Sequence, residues 1–171
     1  MRQAFTIAAM LLLSACAHTM PTTDAVFLVR HAEKTTEKKD PGLTEAGKAR
    51  AVALADRLED EGITHIHSSD YIRTRNTAAP LAERLGLEVA LYNPRDLPGM
   101  AETLKAMPGR HLVVGHSNTT GELTELLGGD GGTPIVEAWE YDRLYVVTME
   151  SGEPVKSYLT RFGVKSEVEA K

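Results

Sequence analysis

Apolar residues along this chain fall into short continuous runs, separated by longer amphipathic stretches. Ala25–Val29 and His111–Gly115 are runs with almost no polar interruption, which predicts strands covered on both faces. Ile63–His67 and Leu87–Leu91 are shorter runs that also predict strands. Between them the period lengthens. Thr44 opens a helical pattern whose buried side carries Val52, Leu54, Ala55 and Leu58 and which ends at Gly62. Tyr71–Leu85 predicts a second helix ending at Gly86, with Pro80 expected to bend or interrupt it. A loop at Asn93–Pro98 leads into a helix reaching about Met107. Glu122–Leu127 predicts a further helix, and Gly128–Gly132 a loop. Arg143–Met149 and Val155–Leu159 predict two closing strands joined by a turn at Ser151-Gly152. Strands alternating with helices from residue 25 to about 127 predict an α/β fold. Its expected form is a three-layer sandwich with a mainly parallel central sheet and helices on both faces.

The first residues do not belong to that pattern. Met1-Arg2-Gln3 is a short, positively charged start, and Ala4–Leu13 is an apolar run too short to span a bilayer as a stable helix. Leu13-Ser14-Ala15-Cys16 follows, with small residues directly before a cysteine, and resembles a bacterial lipobox. The resemblance implies a signal peptide over 1–15, lipid on Cys16, a tether to residue 24 and a single domain over 25–171. It also implies a membrane-anchored protein of the bacterial cell envelope, facing the periplasm. Removing 1–15 takes one positive charge, Arg2, and no negative one, so the net charge moves from −5 to −6. An acidic chain is a poor nucleic-acid binder. Cys16 is the only cysteine, so no intrachain disulfide and no thiolate metal cluster can form.

An acidic protein that binds anions must gather its cations in one place. Arg30-His31 directly follows the strand 25–29, and His116 follows the strand ending at Gly115. Arg73 lies near the start of the helix after the strand 63–67. In parallel sheets ligands bind beyond the carboxyl ends of the strands, which is where these side chains fall. Two arginines and two histidines on one sheet edge suit phosphoryl transfer. Arginine offers a planar fork of donors to phosphate oxygens, and a neutral imidazole nitrogen can attack phosphorus.

Four segments carry a family resemblance. Arg30-His31-Ala32-Glu33 after an apolar strand resembles the Arg-His-Gly signature of the histidine phosphatase superfamily, the phosphoglycerate-mutase-like fold. Leu43-Thr44-Glu45-Ala46-Gly47 matches that family's Leu-Thr-x-x-Gly. Ser68-Ser69-Asp70-Tyr71-Ile72-Arg73-Thr74-Arg75-Asn76-Thr77-Ala78 is similar to its Ser-Ser-Pro-Leu-x-Arg-Ala-x-Gln-Thr-Ala, and Val113-Val114-Gly115-His116-Ser117 to its second-histidine segment. The chain departs from the pattern at Ala32, Asp70 and Asn76, none of which removes a clamp charge. The resemblance implies that His31 is a phosphorylated nucleophile and that Arg30, Arg73 and His116 hold the phosphate, with Ser117 and Asn118 as further donors. It implies a general acid between Arg73 and His116, for which Asp96 is the expected residue and Glu102 the alternative. The long insertions of cofactor-dependent mutases are missing, which points to the compact phosphatase branch. The expected activity is therefore hydrolysis of a small phosphomonoester, with no cofactor and no metal. The rivals are a phosphomutase or phosphohistidine phosphatase of the same fold, and a non-catalytic phosphate- or phosphosugar-binding lipoprotein.

Other features receive plainer readings. His65-x-His67 puts two imidazoles on one strand face, but no third residue has metal-ligand spacing, so packing is expected. Arg75 is expected to be a surface charge. Trp139, Tyr141 and Tyr145 are expected to pack on the closing strands. Gly115-His116-Ser117-Asn118-Thr119 is similar to a serine-hydrolase elbow but fails at Thr119, and no histidine follows the serine.

Overall fold

A computed structural model describes residues 23–150, 152–153 and 155–166. The signal segment 1–15, the lipidation expected at Cys16, most of the tether and Ser151 of the closing turn lie outside the described residues. In chain order the elements are β1 (Asp24–Arg30), α1 (Glu45–Leu58), β2 (His65–Ser69), α2 (Ile72–Leu85), β3 (Val89–Tyr92), α3 (Leu97–Ala106), β4 (Arg110–Gly115), α4 (Thr120–Leu126), β5 (Arg143–Met149) and β6 (Lys156–Arg161). They form one six-stranded sheet in the order β3-β2-β4-β1-β5-β6. The pairs β3–β2, β2–β4 and β4–β1 are parallel, and β5 and β6 close the sheet antiparallel to their neighbours.

Alternation along β1 decides the two faces. Ala25, Phe27 and Val29 pack under α1 and α2, against Leu54, Leu58 and Leu81. Val26 and Leu28 point the other way, against Leu97, Leu104, Leu123 and Leu127 from α3, α4 and the residue just after it. The apolar run is thus buried on both faces, as a central strand requires. Helix α1 starts where Thr44 accepts a hydrogen bond from the Gly47 N–H, a side-chain cap for an otherwise unpaired donor. A Cβ at Gly47 would run into the Glu33 carbonyl, so glycine lets α1 press against the turn just after His31. That is the physical content of the Leu-Thr-x-x-Gly motif. The helix stops at Leu58, and Glu59–Gly62 form a turn with Gly62 in the left-handed region. Helix α2 runs through Pro80 without a break. The hydrogen bond Pro80 cannot donate would end on Asn76, an exposed residue where water can replace it.

Register brings three histidines together away from the strand ends. His65 pairs with His111 across β2 and β4, and the His65, His67 and His111 rings stack with centroids 4.6 to 6.4 Å apart. His111 Nε2 donates to the Met107 carbonyl at 3.0 Å, which leaves its Nδ1 to accept from His67 Nε2 at 3.0 Å. Among the described residues no group of three or more His, Cys, Asp or Glu side chains is arranged to hold a metal ion.

This neutral pair makes stability depend on pH. Burial, then the neighbouring imidazoles, push His67 down to about 4, and burial also lowers His111. In the unfolded chain both titrate near 6.5. Below that pH the unfolded chain binds protons that the folded protein refuses. Stability is therefore complete above pH 6.5 and is lost as pH falls towards 4. Urea denaturation is expected to show a loss of about 2 kcal/mol between pH 7 and pH 5 for His67 alone. A His67→Leu variant should flatten that slope. A slope equal to wild type would show that the pair does not carry it.

Candidate active site

The site forms where parallel strands end side by side. Arg30 stands opposite Gly115 in the β1–β4 register, and the His31 N–H donates to the Gly115 carbonyl at 2.9 Å. Arg30-His31 and His116, far apart in the chain, are thereby neighbours. Their rings lie edge to face with centroids 5.6 Å apart. A Cβ at Gly115 would stand 2.7 Å from Thr119 Oγ1 and 2.9 Å from the Tyr92 hydroxyl, so the position before His116 has no room for a larger residue.

His31 is buried, and its orientation is locked. Its Nδ1 meets the Ala32 carbonyl at 2.8 Å. A carbonyl can only accept, so Nδ1 carries the ring proton and Nε2 keeps its lone pair. The Ala32 N–H in turn donates to Thr77 Oγ1 on α2 at 3.0 Å. Burial, and then the positive charges of Arg30 and Arg73, push the His31 pKa down to about 3, against the opposing pull of the Ala32 bond. The ring is therefore neutral at pH 7. His116 is held by Ser69, whose Oγ lies 2.9 Å from Nε2, and by the edge of the Tyr71 ring at 5.0 Å. Burial, then Arg73 and Arg30, lower its pKa to about 4.

Arg73 reaches the site from the first turn of α2. Its guanidinium lies 4.4 Å over the Tyr71 ring, and Nη1 stands 3.7 Å from Asp40. Asp40 also accepts the Ile72 N–H at 3.0 Å, so one carboxylate both caps α2 and steers Arg73. Arg30 is used differently from the expected clamp. Its Nη1 donates to the carbonyls of Glu140 at 3.0 Å and Val136 at 3.4 Å, and Nη2 to that of Glu137 at 2.8 Å. Its plane lies 4.0 Å from the Tyr141 ring. Two of its three nitrogens thus hold a loop. Among the described residues, the buried side-chain polar atoms without a partner are Arg30 Nε and Arg73 Nε. A buried donor of this kind is costly unless something accepts from it.

His31, Arg73 and His116 line one cavity of about 340 Å³, together with Ser117 and Asn118. Five further residues complete its wall: Lys34, Tyr71, Pro94, Arg95 and Glu137. Three positive side chains, Lys34, Arg73 and Arg95, therefore face a single carboxylate, Glu137. Tyr141 lies against both Arg30 and His31, with a ring distance of 6.1 Å to the latter, rather than only packing on the closing strands. Arg75 pairs with Asp70 at the surface, as its plain reading expects.

The two carboxylates expected to serve as general acid are not in this cavity. Asp96 is the N-cap of α3: its Oδ1 accepts the Gly99 N–H at 3.0 Å, and it faces a different cavity beside His67. Glu102 sits on the exposed side of α3, 3.7 Å from Lys105. Asp96 followed by Pro98 and Gly99 is a helix-start pattern, so its capping role was legible locally. Nothing local marks Glu137. Its place depends on a carbonyl contact with Arg30, 107 residues earlier.

The fold and the site define an α/β protein with a cavity of three cations and a neutral imidazole at the carboxyl edge of its sheet. Residues 26–95 match the model of the histidine phosphatase superfamily (branch 1). Over that segment the chain is similar to the histidine phosphatase superfamily. It is 40% identical to the probable phosphoglycerate mutase GpmB of Cronobacter sakazakii, over 67% of this chain and 56% of that protein. It is also 40% identical to the probable phosphoglycerate mutase GpmB of Erwinia tasmaniensis, over 41% of this chain and 35% of that protein. The chain thus spans roughly a third to a half of the length of such curated relatives. Among solved structures, the protein histidine phosphatase SixA complexed with tungstate superposes with a TM-score of 0.68 at 19% identity, over 80% of this chain and 96% of that one. The mycobacterial glucosyl-3-phosphoglycerate phosphatase gives 0.64 at 17% identity, over 84% of this chain and 100% of that one. At these identities the structures show a common fold.

Proposed function

We propose that the protein hydrolyses a small phosphomonoester through a covalent phosphohistidine on His31. The observation that carries this reading is the His31 ring: neutral, with Nδ1 tied to a carbonyl and Nε2 unprotonated, in a cavity whose wall carries Lys34, Arg73 and Arg95 against the one carboxylate of Glu137. The phosphoryl group is held by Arg73 and His116, with Ser117 and Asn118 beside them and Lys34 and Arg95 at the wall. The unpartnered Nε of Arg73, a residue of the cavity wall, finds an acceptor in its oxygens. These side chains supply the positive charge that phosphoryl transfer needs, so the reaction requires no metal ion. A second cavity of about 350 Å³ shares Ser117 and Asn118 with the first and gives room for the organic part of the substrate.

A brief pulse with a phosphorus-labelled monoester, in the presence of a chelator, tests the reading. Label should appear on His31, be lost in acid and survive in alkali, while inorganic phosphate accumulates. Label on His31 with an isomerised product and no free phosphate would assign a phosphomutase, a reading favoured by the curated relatives. Saturable phosphate binding without label or turnover would reduce the protein to a binding module.

A further inference from the structure

Attack by His31 expels the oxygen of the leaving group, and that oxygen needs a proton. The other carboxylates near the sheet edge are engaged elsewhere. Asp40 is held by Arg73 and the Ile72 N–H, Glu33 by Arg50, and Asp96 by its own helix start. Glu137 differs in two respects. It is the one carboxylate in the wall of the His31 cavity among the described residues. Its side chain is exposed and makes no ion pair or hydrogen bond among them, while its main chain is pinned. The Glu137 carbonyl takes Arg30 Nη2, and the flanking carbonyls of Val136 and Glu140 take Nη1. The Glu140 carboxylate also accepts the Val136 N–H at 3.1 Å and is itself bound to Arg143. A free carboxyl thus stands on a fixed loop, anchored to the residue that precedes His31.

We propose that Glu137 is the catalytic acid and base of this site, which rests on the phosphohistidine reading above. In the first step His31 Nε2 forms a bond to phosphorus and the bond from phosphorus to the leaving oxygen breaks. The Glu137 carboxyl gives its proton to that oxygen, so an alcohol departs and Glu137 becomes a carboxylate. In the second step a water oxygen attacks phosphorus and Glu137 takes one of its protons. The phosphorus–nitrogen bond breaks, its electron pair returns to Nε2, and inorganic phosphate leaves. Both ends of the cycle hold neutral His31 and protonated Glu137.

The test compares two leaving groups in the full chain, wild type against Glu137→Gln. Dinitrophenyl phosphate releases a stable phenolate that needs no proton, whereas glycerol phosphate releases an alcohol that does. For glycerol phosphate, kcat/KM should fall about 10²- to 10³-fold; for dinitrophenyl phosphate kcat/KM, which reports phosphorylation of His31 alone, should fall at least about tenfold less, while kcat falls because the second step has lost its base. Equal losses on both substrates, or no loss on either, would overturn the proposal. If wild type turns over neither substrate, the phosphohistidine reading fails first and this one with it. If wild type acts on both and the variant loses neither, only the role of Glu137 fails.

Discussion

The His31→Ala variant is expected to lose at least about 10³-fold in kcat/KM for every phosphomonoester, since the covalent route is then closed. Leaving-group quality should not rescue it, which separates this loss from that of Glu137→Gln. Phosphate binding should largely survive. Arg73, His116, Lys34 and Arg95 all remain in the cavity wall, and the variant removes a neutral ring rather than a charge. Steady-state kinetics and phosphate titration of the same preparation check both halves. Near-normal turnover by the variant would reject His31 as the nucleophile. Loss of phosphate affinity in proportion to turnover would mean that the ring mainly organises the pocket. The imidazole fills buried space and satisfies the Ala32 carbonyl, so thermal unfolding belongs in the comparison.

Removing Arg143 should have the largest effect on stability. Its guanidinium donates to both Glu140 oxygens, at 2.7 and 2.8 Å, to the Thr133 carbonyl at 2.6 Å, and to the Tyr145 hydroxyl at 3.0 Å. Glu140 is only 3% exposed. Burial alone would raise its pKa, but Arg143 and the Val136 N–H hold it below the usual carboxylate range. Arg143→Ala leaves that carboxylate buried with Arg161 at 3.3 Å as its remaining cation. The cost is expected to be about 3 kcal/mol, at the lower end for a broken buried pair because Arg161 compensates in part. Urea denaturation measures it, and a change below about 1 kcal/mol would show that the pair is not the anchor described here. The double variant Arg143→Met with Glu140→Leu should recover most of the loss, since neither charge is then stranded. Activity on glycerol phosphate should fall in the single variant even where it remains folded, because Glu140 positions the Val136–Glu140 loop that carries Glu137.

The elements themselves were legible because their signals are local. Continuous apolar runs at 25–29 and 111–115 mark strands covered on two sides, and the structure covers them so. Sequence and structure part where a local signal competes with packing. Pro80 reads as a break, yet α2 continues, because one lost hydrogen bond on an exposed face is outweighed by burial of Ala78, Leu81 and Ala82. The helix expected to reach Gly62 stops at Leu58, its last buried apolar residue before the turn.

The site divides in the same way. Arg30, His31, Arg73 and His116 were recognisable because each sits where a strand ends or a helix begins, and such positions follow from hydrophobic period and turn chemistry alone. Their assembly was not written locally. It depends on the register that sets Arg30 against Gly115, chosen by which faces the sheet must bury. The loop at Val136–Glu140 lies further still from any local rule. It has no period, and it is held by hydrogen bonds to a guanidinium more than a hundred residues earlier. The chain alone therefore determined the layers, the sheet edge and the two arginines and two histidines gathered at it. Only tertiary structure decided which carboxylate shares their cavity, because that choice rests on long-range polar contacts between segments that carry no mutual signal in sequence.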